Sequence, residues 1–174
     1  MKNYKMKLNA ILILAMLVLV NFTVKAQQTN FSGTWHLDID KSNFGNVPVN
    51  AAVQKYLIEQ RKSDISVTWI TRNEKNEDIT SALKLTVPEG HNSTMLQESQ
   101  RTRTTSIKFT EDGKSLTLTK SYSKPGDNTQ TDYNIIEIWK LTDGGKALLI
   151  ELTSPKYTIK AVYTKPDLAT TVPN

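Results

Sequence analysis

Trp35-His36-Leu37-Asp38-Ile39-Asp40 carries the rhythm that decides the architecture. Trp35, Leu37 and Ile39 alternate with His36, Asp38 and Asp40. Successive strand side chains point to opposite faces, so a period of two means a strand buried on one side only. The same alternation returns in Ile65, Val67 and Trp69, then in Leu83, Leu85 and Val87. It recurs in Leu116 and Leu118 and in Leu148, Ile150 and Leu152, and more weakly in Ile159, Ala161 and Tyr163. Thr, Val and Ile are frequent throughout, as pleated surfaces favour. Ala51 to Gln60 is the one helical candidate, and its Tyr56-Leu57-Ile58 suits a strand better.

Turn-forming residues separate these runs. Asn73–Asp78 is polar, Glu89-Gly90-His91-Asn92 and Glu111-Asp112-Gly113-Lys114 read as hairpin turns, and Lys124-Pro125-Gly126-Asp127-Asn128 stops a strand. Asp143-Gly144-Gly145 closes another. The pattern predicts nine or ten strands joined by short loops, which argues for an antiparallel meander. A meander hides its edges by closing, so the expected fold is all-β: a single antiparallel up-and-down barrel of about 8–10 strands. Pro166 to Asn174 has no apolar rhythm and reads as a frayed tail.

The 174 residues suffice for one domain. With no cysteine, disulfides, thiolate metal sites and a cysteine nucleophile are excluded. The net charge of +5 is unevenly placed. Lys2, Lys5, Lys7 and Lys25 are four of the 22 basic residues, leaving 18 against 17 acidic ones, a net of +1. No nucleic-acid partner is expected from so balanced a domain. Those early lysines flank the apolar run Ala10–Val20, whose 11 residues suit a signal-peptide core and fall short of the roughly 20 needed to span a bilayer. Residues 1–26 are therefore expected to be a signal peptide, cleaved after Val24-Lys25-Ala26. Residues 27–174 would be the exported domain, periplasmic or extracellular, with no membrane span after cleavage.

Phe31-Ser32-Gly33-Thr34-Trp35 resembles the Gly-x-Trp entry to the first strand of lipocalins. The fuller stretch through Lys41-Ser42-Asn43-Phe44-Gly45, with Trp139-Lys140-Leu141 ahead of Gly145-Lys146, is similar to exported bacterial lipocalin-like proteins of the wider lipocalin and fatty-acid-binding superfamily. Thr131-Asp132-Tyr133 spells a second lipocalin motif. The resemblance implies that Gly33 permits a sharp turn while Trp35 plugs the closed end of the barrel. It also implies an arginine over that tryptophan from the last strand. No Arg follows Arg103, so Lys160 or Lys165 would stand in.

Chemistry is sparse. His36 and His91, the only histidines, read as solvated side chains on a strand and in a turn; neither a metal site nor a cofactor is expected. No Gly-x-Ser-x-Gly elbow accompanies the abundant serines. Asp38 and Asp40 lie about 7 Å apart along one strand face, a spacing better explained as outward decoration than as a glycosidase pair. Gly144-Gly145-Lys146 is a hairpin turn with no helix after it. An enzyme is not expected.

Gln97 to Ser106 is ten residues without an apolar side chain or an obvious turn former. Read as continuous strand, it aims Arg101 and Arg103 the same way, either into a solvent-washed rim or toward a carboxylate or phosphate headgroup. Fatty-acid-binding barrels, by resemblance, place arginine and tyrosine inside for such a group. The expected role is therefore binding of a small hydrophobic or anionic amphiphilic molecule. Arg101, Arg103, Trp69, Phe109 and Tyr122 are the candidate contacts, and Trp139 is a further lining or core aromatic. The competing expectation is a barrel filled by its own side chains, serving as a structural or protein- or glycan-interaction module.

Overall fold

The computed structural model describes residues 28–87 and 89–166. The signal-peptide expectation and nearly all of the expected tail lie outside the described residues. Ten strands follow in chain order: β1 (Gly33–Asn43), β2 (Lys55–Gln60), β3 (Asp64–Arg72), β4 (Asp78–Thr86), β5 (Glu89–Leu96), β6 (Arg101–Phe109), β7 (Ser115–Lys124), β8 (Asp127–Thr142), β9 (Ala147–Thr153) and β10 (Thr158–Thr164). All pairings are antiparallel between chain neighbours, apart from β1 with β10, which closes the meander. The ladder runs β4-β3-β2-β1-β10-β9-β8-β7-β6-β5. The fold class read from the alternation is the one observed, with one difference. The barrel is nearly closed, because β4 and β5, consecutive in the chain, form its two unpaired edges.

That seam begins at a corner where the sequence suggested a hairpin turn. Glu89 to Asn92 lies inside β5, and the chain reverses direction just before it. Gly90 is needed here for space. A Cβ on it would come within 2.5 Å of the Thr86 carbonyl oxygen and 2.7 Å of the Thr86 nitrogen. Gln97–Ser106 also differs from the continuous-strand reading. Residues 97–100 turn, with Gln100 at a positive φ of 51°, and β6 starts only at Arg101. No local turn former marks the reversal; the β5–β6 register imposes it.

Phe31, just ahead of β1, and inward residues of β1 and of β7 to β9 fill one end of the barrel. Phe31, Trp35, Leu116, Leu148 and Trp139 are almost completely buried there. Phe31 packs at 6.1 Å from Phe109 and edge-on at 6.4 Å to Trp139, while Tyr56 packs edge-on to Trp139 and Tyr163. These tilted and edge-to-face geometries suit ring quadrupoles. At the opposite end the segment between β1 and β2, with a single 3-10 turn at Val49–Ala51, lays Phe44, Ala52 and Val53 against the core. Beyond Asp38 the β1 register shifts. Ile39, in phase with Trp35 and Leu37, is consequently 51% exposed. Among the described residues no helix is long and apolar enough to cross a membrane.

Candidate functional site: a charged cavity inside the barrel

Between the packed end and the β1–β2 segment lies a cavity of about 80 Å³ that reaches the β4–β5 seam at the exposed Ala82, Asn92 and Thr94. One wall is apolar and comes from the front half of the chain: Val53, Tyr56, Val67, Trp69 and Leu83. The other is polar and comes from β5 to β8: Asn92, Thr94, Arg103, Thr105, Lys120 and Glu137, with Leu118 and Trp139 below them. Register explains the gathering of charge. Thr105 pairs with both Asn92 and Lys120, and Leu118 pairs with Glu137. Alternate residues of four strands thus meet on the inner face.

Glu137 is only 2% exposed and both its oxygens are engaged. Oε1 accepts from Lys120 Nζ at 2.6 Å and Oε2 from Trp139 Nε1 at 2.9 Å. A buried carboxylate needs such partners, since an isolated one would lose its hydration uncompensated. Burial, reinforced by the Glu137 charge, holds the Tyr56 hydroxyl well above the ordinary tyrosine range and raises Tyr163 for the same two reasons. Both phenols therefore stay neutral. Tyr163 donates to the Val53 carbonyl at 3.2 Å, tying the β1–β2 segment to the barrel.

Arg103 contrasts with this satisfied cluster. Its Nε is buried and has no hydrogen-bond acceptor. Arg101, two residues away on the same face, has acceptors of its own. One terminal nitrogen donates to the Ser123 carbonyl at 2.7 Å and to Asp132 Oδ2 at 2.6 Å, and the guanidinium lies 5.4 Å over the Tyr133 ring. Tyr133 stacks in turn on Tyr122 at 4.7 Å.

The structure thus separates the residues singled out from sequence. Trp69 and Arg103 line the cavity. Arg101 and Tyr122 belong to a stacked cluster at the rim, and Phe109 packs in the filled end. Trp35 sits at the base of that end, its Nε1 donating to the Phe31 carbonyl at 3.0 Å. Gly33 approaches it closely, at a φ of 150°. Lys165 lies 4.8 Å over the Trp35 ring, the position in which the resemblance called for an arginine. His36 and His91 are exposed on β1 and β5. Lys120, Glu137 and Tyr56 were not singled out. The signal for Glu137 was present: it shares the parity of Trp139 inside Ile135-Ile136-Glu137-Ile138-Trp139, so it had to face inward with the tryptophan.

No protein-family model matches the chain, and no curated protein matches it. Solved structures do. The REP1-NXSQ fatty acid transporter is similar at 14% identity and a TM-score of 0.52, over 79% of this chain and 96% of its own. The wild-type fluorescent protein UnaG is similar at 17% identity and 0.52, over 78% and 97%. Human cRBP IV is similar at 12% identity and 0.52, over 79% and 99%. At such identities the likeness concerns the backbone, and the chain has the barrel fold of the lipocalin and fatty-acid-binding-protein structures.

Proposed function

We propose that this chain is an exported, non-enzymatic binding protein that holds a small hydrophobic or amphipathic molecule inside its barrel, with an anionic end of that molecule at Arg103. The observation that carries the reading is the buried Arg103 Nε without an acceptor. Leaving a buried charged donor unmatched costs more than an average hydrogen bond returns, so a site that keeps one is built for an acceptor from elsewhere. The apolar wall of Trp69, Val67 and Leu83 opposite it suits the rest of an amphiphile. The similarity to a fatty acid transporter supports a carboxylate amphiphile as the class to try first. Export rests on the lysine-flanked apolar run of residues 1–26, and N-terminal sequencing of secreted protein should begin at Gln27.

Titration of straight-chain carboxylates and the matching alcohols, followed by tryptophan emission, tests the binding reading. Wild type should prefer acid over alcohol, and Arg103→Gln should lose that preference while Arg101→Gln keeps it. If no acid and no alcohol of any length binds, the reading is wrong. The small cavity, about 80 Å³, then favours the second reading, a filled barrel whose outer face meets a protein or glycan.

A further inference from the structure

We infer that the ligand is a compact monoanion, a short-chain carboxylate of butanoate to hexanoate size, and that long-chain lipids do not fit; this rests on the binding reading above and adds charge and size to it. Charge comes first. Among the residues lining the cavity the ionised groups are Arg103, Lys120 and Glu137, two cations and one carboxylate. Lys120 and Glu137 neutralise each other across 2.6 Å. Arg103 remains as a single unmatched positive charge whose buried Nε lacks an acceptor, which favours a full negative charge over a neutral dipole. A dianion would overcompensate and bring a second buried charge close to Glu137. The ammonium of Lys120 has three donors and spends one on Glu137, so it can add a second contact to the same oxyanion.

Size follows from the volume. About 80 Å³ suits a compact acid rather than a long chain. Pockets for drug-sized molecules run to about 300 Å³ and above, well beyond the space present. On the side of the packed end the cavity is held by Tyr56 and Trp139, edge-on at 5.4 Å, and by the Glu137 bond to the Trp139 indole. The ligand's oxyanion would lie at the Arg103 wall with its short chain against Trp69, Val67 and Leu83.

Isothermal titration of wild type with butanoate, hexanoate, octanoate, dodecanoate and hexadecanoate, with succinate as a dianion and hexan-1-ol as a neutral control, reads both parts. Affinity should peak at butanoate or hexanoate and be at least about ten-fold weaker for dodecanoate, hexadecanoate and succinate. Arg103→Gln should weaken the best acid by about ten- to a hundred-fold and leave hexan-1-ol within about two-fold. Circular dichroism confirms that the variant is folded, and Arg103→Lys should restore part of the loss. Affinity that keeps rising beyond octanoate in an Arg103-dependent way overturns the size inference and leaves the binding reading standing. Succinate binding as tightly as hexanoate overturns the single-charge inference. Absence of binding across the whole series sinks both.

Discussion

At the filled end of the barrel Trp35 gives its indole N–H to the Phe31 carbonyl and lies fully buried beneath Lys165. Across the interior, Arg103 keeps a buried nitrogen with nothing to receive it. The first region spends its one polar atom locally and packs aromatic edges against aromatic faces. The second gathers three ionised groups from β6, β7 and β8 around a cavity. Apolar packing of this kind stabilises, because area leaves water with no polar group stranded. A buried ion pair is at best weakly stabilising against an apolar substitute, because desolvation offsets the Coulomb attraction. The contrast teaches that one barrel can keep its apolar packing and its buried charge in separate regions.

The strongest way to break that division is Trp35→Ala. Removing a fully buried indole should cost about 3–5 kcal/mol, read as a fall in the urea midpoint, with anion selectivity unchanged in whatever fraction remains folded. An equal loss from Arg103→Gln would contradict the assignment of stability to the filled end.

Glu137→Leu comes next. It strands Lys120 and the Trp139 N–H, and since Lys120 is a quarter exposed the loss should be about 2–4 kcal/mol rather than the full cost of a sealed pair. The double variant Glu137→Leu, Lys120→Met should recover most of it, leaving about 1 kcal/mol for the unmet indole N–H. A double-mutant cycle with no coupling would show that the pair does not act as one unit.

Gly90→Ala probes the seam beside the polar wall. Its Cβ would meet Thr86 backbone at 2.5 Å, and backbone cannot swing aside, so about 1–3 kcal/mol should be lost. A neutral result would mean that the β4–β5 corner yields easily. The smallest effect is expected from Lys165→Ala. An exposed cation over an indole contributes about 0.5–1 kcal/mol, and the variant should lose its difference from wild type in high salt.

Glu137 also shows how far the local pattern reaches. Its parity with Trp139 settles that it faces inward, but its partner Lys120 lies 17 residues away on a strand whose register no local pattern states. The same holds at the rim. Arg101 and Arg103 share a parity, and sequence treats them alike. Only the β7–β8 bulge near Tyr122 and Ser123, with the Ser123 carbonyl and Asp132 brought within reach of Arg101, gives one arginine acceptors while the other keeps a buried Nε without one.

The sequence by itself determined the all-β class, the meander, the number of strands within one and the tryptophan at the barrel base. The first three depend on alternation or on turn chemistry, both properties of a few adjacent residues, and the tryptophan's place was implied by the Gly-x-Trp resemblance. Tertiary structure decided that the seam falls between β4 and β5, that Gln97–Gln100 turns without a turn former, and that Lys165 rather than Lys160 covers Trp35. It also decided how much empty space the barrel keeps. Those outcomes depend on register and side-chain volume summed over strands far apart in the chain. A one-residue slip would exchange every inward group for an outward one, so no single segment contains the answer.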